Sequence, residues 1–496
     1  MKISIAFLLI SCFINNIYSQ NFGTFPAIKK ESLLRDLDVL HQGLDLFHSG
    51  MYWYTPKDSV DFAFEKAKLD IATDLNILEF HKIIAPLVAL SREDHTDVFL
   101  PKDIKEAINT NDNIKFLPLK VVFLNEKLYC IRNAASDSNQ FETLEIEKIN
   151  GESPIEIVKK IGSLFASDGY IKSVKFSDLS GLNFSKYYYY YYGIIEKFEI
   201  KFKNLATIIS LDAISMQEIR KNLNKSDKLI VKNIDKNPLK MNILNSKTAY
   251  LDIQTFSNSD IRKDSKFKSF KKFLKSSFLG INEKNIENII IDISKNGGGN
   301  EGNEGLLYSY FGENYQKYIK VRAKKQEIII QNNIDKPIKL KVFGFLERIF
   351  ANKKMSDGSL ERTNNFGAGL MAFKNEPKNK FKGKIYIITS PITYSGASEF
   401  ANMMATHRLA TFIGEETGGG YYGNTSGYTR KLTLPNSKIA IDIPTLQFVM
   451  NVKPIFPFGS GVKPNFKVIP TINQFINNEN VCLEYALKLI NANAKN

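Results

Sequence analysis

Apolar residues recur at helical spacing through the first hundred positions. Leu33, Leu34, Leu37, Leu40 and Leu44 form one stripe, and Phe62, Phe64, Ala67, Leu69 and Ile71 mark a second. A third helix is predicted from about Leu75 to Leu90, followed by a short strand, Val98 to Leu100, closed by Pro101. Between the first two helices runs Gly50-Met51-Tyr52-Trp53-Tyr54-Thr55-Pro56, which holds the only tryptophan and reads as an aromatic plug between helices. From about residue 114 the pattern turns to strands: Leu117 to Phe123, Lys127 to Arg132 and Thr143 to Ile149, then the tight turn Asn150-Gly151 and a helix from Pro154 to Ile161. The six tyrosines Tyr187 to Tyr192 read as a strand with three rings packed inward and three hydroxyls in water. From about residue 240, strand and helix alternate. Ala249 to Phe256 and Ile286 to Ile293 read as strands, and Lys266 to Phe278 as a helix with Phe267, Phe270, Leu274 and Phe278 on one stripe. Such alternation argues for an α/β layer with a mostly parallel core.

The expected division is a leader at 1–19, a helical region at 20–105, a β-rich domain at 106–235, an α/β core at 236–475 and a C-terminal helix at 476–496. A chain of 496 residues is long enough for about three folding units at roughly 150 residues each. The leader rests on the apolar run Ile3 to Ile14 and the small Ser19, which read as a secretory signal too short to span a membrane. The chain is therefore expected to be exported. Leu9-Ile10-Ser11-Cys12 resembles a lipobox, so a lipid anchor at Cys12 is the second reading. Cys130 and Cys482 are the only other cysteines, which excludes a disulfide framework and a paired-cysteine zinc site. The net charge of +15 leaves nucleic-acid or anionic-surface binding open in principle. The cluster Lys263, Lys266, Lys268, Lys271, Lys272 and Lys275 lies mainly off the apolar stripe, however, without interleaved aromatics, and reads as a solvated face.

Two segments carry chemistry. Asn288 to Ile293 is a buried strand that runs through Ser294-Lys295-Asn296 into Gly297-Gly298-Gly299, where glycines permit a sharp turn and present bare backbone N–H groups to an oxyanion. No Gly-Lys-Ser/Thr follows, which weakens a nucleotide reading. Lys384 to Ser390 is a second strand, and Pro391-Ile392-Thr393-Tyr394-Ser395-Gly396-Ala397-Ser398-Glu399 opens a helix. Ser395 at that turn offers a hydroxyl at a helix N-terminus; the competing role for Ser395 or Ser398 is a helix cap.

Taken in order, Asp292 to Gly299, Thr393 to Ala401, Ala410 to Gly420 and Gly459-Ser460-Gly461-Val462-Lys463-Pro464-Asn465 resemble the core of the C-terminal-processing (tail-specific) serine proteases. Leu144 to Pro154 looks like the strand, turn and helix of a PDZ domain, a module that binds an extended peptide as an added strand. The resemblance implies a multidomain α/β protein: a ClpP/crotonase-like catalytic core, a helical N-terminal region and a PDZ-like β-rich insert. In one branch of the family a lysine 25 residues beyond the serine is the base, but here position 420 is Gly. In the branch resembling the tricorn protease core and interphotoreceptor retinoid-binding protein, a histidine from the N-terminal region is the base, and His95 in Glu93-Asp94-His95-Thr96 matches it. That branch carries a glutamate shortly before the closing glycine turn, where this chain has Ile455-Phe456-Pro457-Phe458. Glu399, Glu415 and Asp94 are the substitutes considered.

The expected activity is thus serine-type peptide-bond hydrolysis, with Ser395 as nucleophile, His95 as general base and backbone N–H groups of Gly396 and of Gly297 or Gly298 holding the oxyanion. It calls for no metal or organic cofactor, a peptide or protein as partner, and neither nucleic acid nor a transmembrane segment. The alternative is a catalytically impaired member that binds peptides or ligands.

Overall fold

The computed structural model describes residues 25–135, 140–224, 236–324, 351–365, 368–374, 377 and 379–493. The expected leader and Cys12 lie outside the described residues. At the centre is a six-stranded sheet whose strands stand in chain order: Leu239–Asn245, Thr248–Ile253, Asn288–Asp292, Lys384–Thr389, Thr411–Gly414 and Phe466–Lys467. The first pair is antiparallel and every other pair is parallel. Ile289, Ile291 and Ile387 face the helices Phe270–Glu283 and Gly396–Thr406, while Ile290, Ile388 and Ile413 lie under the C-terminal helix Val481–Asn493. Burial on both faces explains the unbroken isoleucine run. The expected mixed α/β class holds.

A second sheet joins the N-terminal region to the core. The long strand Ala440–Met450 pairs along one edge with Gly423–Thr433 and along the other with Asp97–Phe99 and Tyr318–Ala323. The helices Lys30–Phe47, Lys57–Asp70 and Ile77–Ala89 pack on this sheet, so that Leu37, Leu40 and Phe80 share an apolar cluster with Leu432, Ile441 and Ile443. Within Lys57–Asp70 the buried stripe is Val60, Phe64 and Ala67, and the expected Phe62 and Leu69 point to solvent. Spacings of two and five residues do not share a helix face.

Residues 115–215 hold a five-stranded antiparallel sheet in chain order: Leu119–Leu124, Lys127–Asn133, Glu145–Ile149, Lys197–Phe202 and Ile209–Asp212. The predicted helix Pro154–Ile161 forms here, started by Ser153 and Glu156 in a reciprocal capping box. The tyrosine run is not a strand. It is the second half of a helix, Asn183–Tyr192, ended by Gly193 at φ 81°. Packing decides this against the β-propensity of tyrosine. Phe184, Tyr188 and Tyr192 meet at four-residue spacing, the last two stacked, with Tyr188 in the core of the β-rich insert. Tyr189 and Tyr190 point the other way, into the core of the N-terminal helices. All six lysines from Lys263 to Lys275 are exposed, as a solvated face requires. Among the described residues no helix is long and apolar enough to cross a membrane.

Candidate active site

The parallel strands deliver their loops to one edge of the central sheet, where open α/β sheets hold their ligands. Thr248–Ile253 leads to Phe256, Asn288–Asp292 to Gly297-Gly298-Gly299, Lys384–Thr389 to Ser395, and Thr411–Gly414 to Gly418-Gly419-Gly420. Hydrogen bonds stitch these loops together. Asn296 Nδ2 donates to the Ile253 carbonyl (3.1 Å) and its own carbonyl accepts from Tyr394 N–H (3.1 Å), while Thr393 Oγ1 donates to the Ile293 carbonyl (3.0 Å).

Ser395 occupies the turn into the helix Gly396–Thr406 with φ 48° and ψ −126°, and makes no capping hydrogen bond. The cap reading of Ser395 therefore fails, and Ser398 instead turns its hydroxyl back to the Ser395 carbonyl (2.8 Å). A serine held at positive φ stores strain of about 1–3 kcal/mol, which the surrounding loops must sustain. Gly298, at φ 95°, is the surface it rests on: a Cβ there would lie 2.7 Å from Ser395 Cβ and 2.9 Å from Gly396 N. The Gly298 amide is already committed, donating to Asn296 Oδ1 (2.8 Å). No hydrogen bond among the described residues takes up the amides of Gly297 and Gly396.

His95 stands on the loop between the helix Ile77–Ala89 and the strand Asp97–Phe99, and its ring meets that of Tyr394, the residue before Ser395, edge-on at 6.3 Å. The loop is fixed from three sides. Glu93 accepts from Thr425 N–H (2.8 Å) and Oγ1 (2.9 Å), the strand after His95 is paired to Ala440–Met450, and His48 Nε2 bonds Thr96 Oγ1 (2.8 Å). His48 Nδ1 accepts from Gly50 N–H (3.2 Å), so Nε2 carries its proton, and burial pushes its pKa down to about 3. Burial also lowers the pKa of His95, against the negative charges of Asp168 and Glu399, and His95 Nδ1 is buried without a hydrogen-bond partner. The other histidines are engaged elsewhere: His41 with Asp61, His81 against Tyr190, and His407 with Met403 and Tyr308 at the far end of the serine helix.

The three carboxylates proposed from sequence take different places. Glu399, one helical turn beyond Ser395, accepts from Lys317 Nζ (3.0 Å), Tyr318 Oη (2.7 Å) and Asn424 Nδ2 (3.2 Å). Glu415 lines a cleft that also borders Gly297 and Pro391, where burial raises its pKa and Lys467 opposes the rise. Asp94 has its carboxyl raised by burial and by neighbouring Asp168, Asp178 and Asp97, with Lys175 opposing. Among the described residues none of the three is hydrogen-bonded to His95.

Sequence reasoning missed Asp168. It is 1% exposed, and its two oxygens accept from Asp94 N–H (2.9 Å) and Gly420 N–H (3.1 Å). Its own N–H donates to Tyr394 Oη (3.4 Å). Ser167-Asp168-Gly169 signals only a turn. Gly169, at φ 55°, is needed because a Cβ there would lie 2.3 Å from the Gly459 carbonyl oxygen, and nothing local shows that this turn reaches the closing loop. The same loop carries Ile455-Phe456-Pro457-Phe458, the stretch where the family's glutamate is expected. Phe458 packs with Trp53 and Tyr54, so the aromatic turn, whose Met51 and Tyr52 pack with the N-terminal helices, also reaches the junction with the core.

Between the core and the edge strand Leu119–Leu124 of the β-rich insert lies a cleft of about 1300 Å³ that reaches Gly297 and is also lined by Tyr170, Lys172 and Lys295.

The family model for Peptidase family S41 matches residues 247–468. Mature CPAF complexed with lactacystin is similar in structure, at 13% identity and a TM-score of 0.60, over 93% of this chain and 97% of that one. Mature CPAF in another structure gives 13% identity and a TM-score of 0.56 over 91% and 99%. The photosystem II D1 C-terminal processing protease superposes more loosely, at 11% identity and a TM-score of 0.40 over 88% and 93%. No curated protein matches the chain significantly.

Proposed function

We propose that this chain, whose residues 247–468 match the model for Peptidase family S41, is a member of that family and hydrolyses peptide bonds with Ser395 as nucleophile and His95 as general base. The observation that carries the reading is Ser395 itself: strained, uncapped and pressed against Gly298, with His95 packed beside the preceding tyrosine. Ser395 Oγ attacks the scissile carbonyl as His95 takes its proton. The proton then passes to the leaving amine, and a water deprotonated by His95 releases the acyl group. The amides of Gly396 and Gly297, free of internal bonds, receive the oxyanion, and Gly298 contributes the close approach that brings the two loops together. The substrate is a peptide or protein. Its extended segment lies in the cleft beside the strand Leu119–Leu124, in line with the peptide-binding role suggested by the PDZ-like sequence. Export by the N-terminal leader is part of the same proposal.

The lack of a carboxylate in Ile455-Phe456-Pro457-Phe458 favours a second reading, a binding protein without turnover. Hydrolysis of an unstructured protein decides between them. Activity in the wild type that is abolished by Ser395→Ala supports the peptidase; no hydrolysis by the wild type, or equal hydrolysis by both, overturns it.

A further inference from the structure

We propose that Asp168 is the carboxylate that orients His95, a positioning residue carried into the active site by the β-rich insert. The proposal rests on the reading of Ser395 and His95 as nucleophile and base. A general base of this kind needs one ring nitrogen fixed by an acceptor so that the other faces the nucleophile. His95 Nδ1 is buried and unpartnered, a costly state that a nearby acceptor relieves. Asp168 is tied to the histidine loop at the adjoining peptide, where it accepts the N–H of Asp94. Tyr394 bridges the two, its ring against His95 and its hydroxyl against the Asp168 N–H. Each Asp168 oxygen spends one lone pair on a backbone N–H, and the remaining lone pairs are open to an imidazole N–H.

The competing carboxylates are engaged elsewhere or do not bear on His95. Glu399 also bears on His95 from the serine helix, but its oxygens are taken by Lys317, Tyr318 and Asn424. Glu93 is turned to Thr425 and the Asp94 carboxyl lies among Asp168, Asp178, Asp97 and Lys175, and the negative charges that bear on His95 are those of Asp168 and Glu399. As the Ser395 proton moves to His95 Nε2, the ring becomes a cation, and its Nδ1–H donates to the ionised Asp168. No proton is transferred to the carboxylate.

The test compares wild type, Asp168→Asn, Asp168→Glu and Ser395→Ala in hydrolysis of an unstructured protein, together with NMR titration of the five histidines in the Ser395→Ala background. Asp168→Asn is expected to lower kcat by about 10³-fold with KM within about threefold, and Asp168→Glu to recover part of the loss. Removing the charge also lowers the His95 pKa, because Asp168 stabilises the imidazolium, whereas a purely structural role leaves it unmoved. Asp168→Asn with wild-type kcat and an unshifted His95 overturns the proposal while Ser395→Ala is inactive; an active Ser395→Ala overturns the underlying reading instead. Should Asp168→Asn fail to fold, the wild type still decides. A low-field Nδ1 proton that is lost in His95→Gln supports the proposal, and its absence overturns it.

Discussion

Two groups of buried carboxylates flank Ser395, and they are held in opposite ways. Behind the serine helix, Glu304 and Glu399 share Lys317, at 2.7 and 3.0 Å, with all three side chains nearly inaccessible. Burial alone lowers the pKa of Lys317, but the two carboxylates outweigh it and hold it well above the ordinary lysine value. Lys317 therefore stays charged and serves as a counter-ion, not as a base. On the histidine side, Glu93 and Asp168 have no such ion. Backbone N–H groups and Thr425 hold them, and burial raises both pKa values. One side is a locked ion network that supports the helix bearing the nucleophile. The other sets carboxylates, which no cation among the described residues neutralises, beside the place where a histidine cation forms during turnover.

That contrast is broken most severely on the serine side. Lys317→Met strands two buried carboxylates and is expected to cost about 3–5 kcal/mol, read as a large drop in melting temperature or denaturant midpoint. Adding Glu304→Gln and Glu399→Gln to it restores most of the loss, since the uncompensated charges are then gone. Gly298→Ala should leave the fold largely in place, yet it forces a Cβ to within 2.7 Å of Ser395 Cβ at φ 95° and should lower kcat/KM by about 10²-fold or more. On the histidine side the effects are smaller and depend on pH. Because burial lowers the His95 pKa, the acid limb of kcat/KM is expected below the ordinary histidine value of 6.5, with activity lost as pH falls through that limb. Glu93 has a folded pKa raised above 4.5, so its ionisation costs stability as pH rises from there. Glu93→Gln should accordingly gain stability relative to wild type as pH increases, measured as the difference in melting temperature at two pH values. The smallest effect is on the solvated face, where Lys271→Glu should change neither activity nor melting temperature.

The serine side was legible because its determinants are local. Strand, glycine turn, strand and serine turn each announce themselves over about ten residues, and the sheet places them in the order of the chain. The tyrosine run misled because burial against two cores decided its conformation, and neither core is visible in six identical letters. Asp168 was illegible for a related reason. Its partners are the amides of Asp94 and Gly420, 74 and 252 residues away, and amides carry no sequence signal. His95 was found only through a motif; the geometry around it depends on Thr425, Tyr394 and His48, which no spacing rule links.

The most direct test of the account is covalent labelling by a fluorophosphonate, followed by intact-mass and peptide mapping. One adduct on wild type located at Ser395, none in Ser395→Ala and strongly slowed labelling in His95→Ala are the predicted results. Equal labelling of wild type and Ser395→Ala, or an adduct on another serine, contradicts the assignment of Ser395 as the nucleophile.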